Sequence, residues 1–169
     1  MKDNYIFKYI LLLPIFVFIQ ILVLNEVFLS LYIIPFLYVG LIINLPIKEP
    51  KWFSLLYAFI IGLLIDIFSS TIGFHSTACT LIAFIKPFIC KITISQKIIT
   101  ETEEITLKKI GSRAFLMLSL ILILIHHSCL FFIEHLSFNL NVLLKIIASS
   151  LATYVVILIS QLFFNSNNK

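Results

Sequence analysis

Apolar runs, each about as long as a membrane-spanning helix, recur along this chain and set its fold class. A spanning helix needs about 20 mostly apolar residues to cross the hydrocarbon core. Six segments meet this requirement, at about 5–24, 27–45, 52–68, 72–92, 114–133 and 142–164. Composition agrees, because 61% of the 169 residues are hydrophobic and only 12% are charged, whereas a soluble domain is about 25% charged. The sequence predicts an all-α polytopic membrane protein, a six-transmembrane-helix bundle formed as a single domain, and excludes an ordinary soluble enzyme.

Basic residues are unevenly distributed between the two ends of the predicted spans. With six spans and a cytoplasmic N-terminus, 11 of the 12 Lys and Arg residues fall on the cytoplasmic side, and Lys145 alone falls outside. Cytoplasmic loops carry the excess of positive charge in membrane proteins. We therefore predict that both termini are cytoplasmic. The longest connection, 93–113, is then a cytoplasmic loop, either a solvated connector or a short helix at the membrane surface.

The fourth predicted span, 72–92, carries more polar residues than the others. Gly73 and His75 lie near its start, and Lys86 and Pro87 lie near its end. A proline inside a helix removes one backbone hydrogen bond. The sequence alone leaves open whether this span is a full, a broken or a re-entrant helix.

Polar side chains at bilayer depth are candidate functional residues, because placing a polar group in the hydrocarbon core costs free energy. Asp66 is the clearest example, near the outer end of the third span, and Gly62 lies one turn earlier on the same face. Asp66 either contacts a partner or hydrogen-bonds the start of the next helix around 69–71. In the second case we expect Asp66→Asn to be largely tolerated.

The four histidines map to the outer half of the predicted bundle, together with two glutamates: His75, His126, His127, His135, Glu26 and Glu134. Asp66, His75 and His127 could be drawn as a metal site. No i, i+4 His pair and no Cys/His cluster supports one, so we expect no metal and no other cofactor. His127 and Glu134 share a helix face but lie two turns apart, about 10 Å. The rings of His126 and His127 should enter different sites, because adjacent helical residues diverge by about 100°.

Residues 62–75, GLLIDIFSSTIGFH, resemble the core signature of the MreD family of rod shape-determining proteins. That signature has Gly-Leu, an Asp three to four residues later, small polar residues, and then Gly and His. Residues 83–87, AFIKP, and 125–134, IHHSCLFFIE, resemble the Bacteroidetes-type members. Lys86 stands where Arg is expected before the proline. The resemblance covers essentially the whole chain.

This resemblance implies a cell inner-membrane protein of the peptidoglycan elongation machinery, the elongasome, with no catalysis of its own. The implied partners are MreC, the actin-like MreB, the glycosyltransferase RodA and a transpeptidase penicillin-binding protein, within the lipid bilayer and without nucleic acid. The family fold has been likened to the substrate-binding subunits of energy-coupling-factor transporters. A vitamin-type transporter subunit is therefore the alternative function. The candidate partner-contact or structural polar residues are Gly62, Asp66, Gly73, His75, His127 and Glu134.

Overall fold

The computed structural model describes residues 3–25, 33–101, 104–137 and 139–166, and these residues form an all-α bundle. In chain order its helices are α1 (Asp3–Ile19), which continues as a π-helical turn (Gln20–Leu24), α2 (Val39–Asn44), α3 (Lys51–Ser69), α4 (Phe74–Thr93), α5 (Gln96–Glu101), α6 (Leu107–Ile110), α7 (Ser112–His135) and α8 (Leu140–Ser166). Helix α4 lies between α3 and α7, and α8 packs on α7. The prediction of an all-α polytopic membrane bundle is confirmed.

The second predicted span, 27–45, differs most from its prediction. Its helical part in the described residues is α2, which has only six residues, while 33–38 are not helical and 26–32, with Glu26, lie outside the described residues. Pro35 explains the break, because it lacks an amide hydrogen and disfavours helical geometry at Ile34. Five helices in the described chain are long and apolar enough to span a membrane, so the predicted count of six helices is not confirmed.

Residues 33–45, which we call the central segment, run antiparallel to α1. At one end, the Gln20 side chain accepts a hydrogen bond from the backbone N–H of Leu37, at 2.8 Å. At the other end, the Tyr9 hydroxyl donates to the carbonyl of Asn44, at 2.6 Å. Gln20 and Tyr9 are about three helical turns apart on α1. The central segment therefore returns the chain toward the end of the bundle where α1 began.

Several connections meet at that end of the bundle, which we call the basic end. Glu104 pairs with Lys8 at 2.7 Å and with Lys109 at 3.2 Å, and Lys48 donates to the carbonyl of Thr100 at 2.7 Å. Burial acts to raise the pKa of Glu104, but hydrogen bonds and charge from the two lysines outweigh it and hold this pKa below its ordinary value. The start of α1 and the 94–111 connection thus lie together.

Two segments whose conformation the sequence left open are described by the structure. The fourth span is a continuous helix, α4, despite Pro87 inside it. The 93–113 connection contains two short helices, and Ile105 and Ile110 are buried against the bundle. This connection is therefore a packed part of the fold, and not simply a solvated linker.

Helices α3 and α4 approach each other closely at Gly62. A Cβ atom added there would overlap the backbone of Ser76. A glycine at a helix contact allows two backbones to come together in this way. Gly73 precedes α4 with a φ of 78°, a conformation that glycine adopts without steric cost. The two glycines of the sequence signature therefore shape the α3–α4 corner.

Gly62→Ala should destabilise the bundle strongly, because overpacking against a rigid backbone costs about 1–3 kcal/mol or more. Gly40→Ala is the matched control, since the atoms nearest to its Cβ would belong to the Ile157 side chain, the first of them at 3.4 Å. Thermal unfolding of the purified protein in detergent, followed by circular dichroism, measures both. Equal unfolding temperatures for the two variants would contradict the close approach at Gly62.

Candidate functional site

The non-helical part of the central segment depends on side chains of other helices for its backbone hydrogen bonds. The Ile34 N–H donates to the Ser149 hydroxyl at 3.1 Å, and the Phe36 N–H donates to the Thr153 hydroxyl at 2.9 Å. Ser149 and Thr153 are one turn apart on α8, and both are fully buried. At bilayer depth water does not supply such bonds, so irregular backbone is stable only where protein satisfies it.

Gln20 supplies further bonds from the end of α1. Its amide nitrogen donates to the Pro35 carbonyl at 3.0 Å, and its amide oxygen accepts from the Leu37 N–H at 2.8 Å. The same nitrogen also donates to the Asn25 side chain at 2.9 Å. Gln20 opens the π-helical turn, a distortion that is frequent at functional positions in helices. One buried amide thus binds the central segment on both its donor and its acceptor groups.

Lys86 holds the other end of the central segment. Its ammonium donates to the carbonyls of Ile42 at 2.8 Å and Leu45 at 2.5 Å. These carbonyls lie at the C-terminus of α2, where a helix carries partial negative charge and favours a cation. Lys86 is 5% exposed, so its charge is buried against the short helix.

Three imidazole rings surround Phe36 of the central segment. The Phe36 ring centroid lies 5.3 Å from that of His75, 5.8 Å from His126 and 5.2 Å from His127. With Tyr38 these residues form what we call the histidine cluster, and all five are buried. The aromatic ring of Phe36 fills the space between the imidazoles, so the cluster is packed.

The expectation that His126 and His127 enter different sites is wrong. Their ring centroids are only 5.3 Å apart, and both rings contact Phe36. The two side chains do diverge around α7, as helix geometry requires. They meet again because the central segment lies against α7, where Phe36 contacts both rings and Tyr38 contacts His126.

A defined chain of hydrogen bonds connects His127 to the central segment. His127 Nδ1 lies 2.9 Å from the carbonyl of Ile123, and its Nε2 lies 3.1 Å from the Thr153 hydroxyl. A neutral ring must donate from Nδ1 to the carbonyl and accept at Nε2. The Thr153 hydroxyl therefore donates to His127 while it accepts from the Phe36 N–H.

The other two histidines meet at the hydroxyl of Tyr38. That hydroxyl lies 2.7 Å from His75 Nδ1 and 3.4 Å from His126 Nε2. Cys79 Sγ also lies 3.9 Å from His126 Nε2. Among the described residues, His126 Nδ1 is buried without a hydrogen-bond partner. Tyr38 thus connects α4 to α7 through the central segment.

Asp66 forms a cap on the N-terminus of α4. Its Oδ1 accepts from the Thr71 hydroxyl at 2.6 Å and from the His75 N–H at 3.0 Å, and its Oδ2 accepts from the Ser76 N–H at 2.9 Å. A carboxylate at a helix N-terminus is stabilised by the free amides and by the helix dipole. Of the 69–71 turn named in the sequence prediction, Thr71 provides the donor.

The sequence candidates fall into three places in the structure. Gly62, Asp66 and Gly73 shape the α3–α4 corner, and His75 and His127 lie in the histidine cluster. Glu134 lies apart from both. It is partly exposed and pairs with Lys145 at 3.0 Å, near the end of α7. Within the described ranges, no group of three or more His, Cys, Asp or Glu residues is placed to hold a metal ion.

Sequence reasoning missed Gln20, Phe36, Tyr38 and Thr153 as members of this site. Gln20 did carry a signal, because an uncharged amide inside an apolar run still needs partners at bilayer depth. Pro35 carried a second signal, since it marks where a helix is interrupted. Phe36 and Tyr38 carried none, because aromatic residues are common in every apolar run of this chain.

No protein-family model, curated protein or solved structure matches this chain. Its class is defined by the structure itself. The chain is an all-α, multi-pass membrane protein with an interrupted segment in its centre and a packed histidine cluster around that segment.

Substitutions at Asp66 should weaken the α3–α4 corner in a defined order. Asp66→Leu removes all three acceptor bonds and should cost more than Asp66→Asn, which keeps one oxygen but turns an amide donor toward an N–H. Each buried donor left without a partner costs about 1–3 kcal/mol. The structure therefore predicts a larger effect of Asn than the sequence alone did. Denaturant unfolding in detergent measures the order.

Thr71→Val serves as the control for these variants, because it removes one donor and leaves both backbone bonds of Asp66 in place. It should be the mildest of the three. If Asp66→Asn proves as damaging as Asp66→Leu, the negative charge itself is required.

Thr153→Val should destabilise the central segment, because it leaves the Phe36 N–H and His127 Nε2 without their partner. The expected loss is about 1–3 kcal/mol of unfolding free energy. Thr80→Val is the matched control, since the Thr80 hydroxyl only bonds the Ser76 carbonyl of its own helix. The same unfolding measurement compares them, and similar losses for both would argue against a special role of Thr153.

Proposed function

We propose that this protein is a non-catalytic membrane scaffold or regulator of cell-wall elongation and rod cell shape, similar to MreD. It acts in a complex with MreC and with other elongation proteins, among them MreB, RodA and a transpeptidase penicillin-binding protein. The observation that carries the proposal is that the MreD-like stretch 62–75 forms a single structural unit. Gly62, Asp66 and Gly73 each contribute a distinct contact or turn at the α3–α4 corner.

The use of the polar side chains supports a scaffold. The carboxylate of Asp66 accepts hydrogen bonds from the start of α4, and both ring nitrogens of His127 are hydrogen-bonded, to Ile123 and Thr153. Catalysis requires a group within hydrogen-bond reach of a bound substrate. Side chains held in internal bonds of this kind fix one arrangement of helices, which is what a protein that positions other membrane proteins requires.

The proposed location is the cell inner membrane, with the basic end in the cytoplasm. Lys8, Lys48 and Lys109 lie at that end, and Lys145 lies at the opposite end, in the first turns of α8. The excess of Lys and Arg in cytoplasmic loops supports this orientation. Both termini are then cytoplasmic, as the distribution of basic residues in the sequence predicts.

One observation favours the alternative function, a substrate-binding subunit of a vitamin-type transporter. The central segment is an interrupted element inside a helical bundle, and interrupted helices often form the binding sites of transporters. In this chain, however, the Phe36 ring occupies the space between the three imidazoles. A ligand would have to displace that ring to reach the imidazoles, because the whole cluster is buried.

Depletion of this protein in its own host should turn an elongated cell into a round one, or lyse it, with nutrient uptake unchanged. The wild-type gene and Gly40→Ala should restore shape, whereas Gly62→Ala should not. Tagged protein should also co-purify with the MreC-like protein of the host, and an unrelated multi-pass protein with the same tag is the control. Normal shape combined with loss of uptake of one nutrient would support the transporter alternative instead.

Reporter fusions test the proposed orientation independently of function. A cytoplasm-active reporter should be active when fused after Lys169 and when inserted near Lys97, because both positions belong to the cytoplasmic side. A reporter that requires export should be active at 136–139, between α7 and α8. Opposite readings at Lys169 and Lys97 would overturn the orientation.

A further inference from the structure

A cavity opens between α3 and α4 near the basic end, away from the histidine cluster. Its volume is about 320 Å³. The lining comes from the start of α3, the second half of α4, and α2 with the chain after it, and its apolar members include Leu45, Leu55, Phe84 and Phe88. Phe84 and Phe88 are more than half exposed on the outside of the bundle, so the cavity reaches the surface that faces lipid.

Charged residues of the cavity are mainly basic. Lys51, Lys86 and Lys91 line it, with Glu49 as the single carboxylate among the lining residues. Lys51 and Lys91 are exposed, and both lie at the end of their helix that belongs to the basic end. An apolar wall next to several ammonium groups matches a molecule with a hydrocarbon chain and an anionic head.

Lys86 strengthens this match because its ammonium is buried at the cavity wall. Two of its hydrogen bonds go to the carbonyls of Ile42 and Leu45, and an ammonium has three donors. Carbonyl dipoles stabilise the ammonium but do not neutralise its charge. A nearby anion would lower the cost of keeping that charge out of water.

We propose that this cavity binds an anionic phospholipid, with an acyl chain along Phe84 and Phe88 and the phosphate head among Lys51, Lys86 and Lys91. Basic pockets between membrane helices, at the end where positive charge collects, are suited to anionic head groups. The excess of lysine over glutamate in the lining favours an anionic over a zwitterionic lipid. This site does not depend on the function proposed above.

The fluorescence of Trp52 can report lipid binding, because Trp52 is the only tryptophan in the sequence and directly follows Lys51. It is 66% exposed, so lipids with brominated acyl chains can quench its fluorescence. The protein is placed in vesicles of phosphatidylcholine that contain either brominated phosphatidylglycerol or brominated phosphatidylcholine. Quenching should show a preference of about fivefold or more for phosphatidylglycerol, the factor expected for one lysine near an anionic head.

The double variant Lys51→Gln with Lys91→Gln leaves Lys86 offset by Glu49 in the lining, so the preference should fall to about twofold or less. The matched control is Lys97→Gln with Lys108→Gln, which removes the same charge from exposed positions outside the cavity lining, and it should keep the preference. Size-exclusion chromatography confirms that both variants remain folded. Equal quenching by the two lipids in the wild type would overturn the proposal. An equal loss of preference in both variants would overturn it too, because only general surface charge would then be involved.

Discussion

The backbone of the central segment carries N–H and C=O groups that have no backbone partner, and side chains of the surrounding helices bond them. Ser149 and Thr153 on α8, Gln20 on α1 and Lys86 on α4 each bond this backbone. An unpaired backbone group at bilayer depth costs several kcal/mol. The positions of three long helices are therefore coupled to the conformation of one short stretch of chain.

The hydrogen bonds of the central segment continue into the histidine cluster and from there to the α3–α4 corner. Tyr38 leaves the central segment and bonds His75, and the backbone of His75 in turn donates to Asp66 at the end of α3. A continuous path of contacts thus leads from the centre of the bundle to Asp66. Side chains in such a network hold each other in one geometry, which gives the bundle a specific structure that apolar packing alone leaves less defined.

Much of this fold could be predicted from the residues, and the reasons for the failures are physical. Hydropathy identified α1, α3, α4, α7 and α8, because a spanning helix needs a long apolar run. It failed at 33–45, because an apolar run is equally hydrophobic whether it is helical or irregular. Asp66 was predicted as a candidate functional residue, because placing a carboxylate in the membrane costs free energy. Its partners His75 and Ser76 could not be predicted, since they act through backbone amides that every residue has.

The bonds from the central segment to α8 also bear on how the protein is made. Phe36 and Thr153 are 117 residues apart in the chain, so α8 leaves the ribosome well after the central segment. Until α8 enters the membrane, the N–H groups of Ile34 and Phe36 have no Ser149 or Thr153 to bond. The central segment can therefore reach its final conformation only after α8 has been synthesised and inserted. The centre of the bundle thus forms late, because an early segment bonds a helix that is synthesised more than 100 residues later.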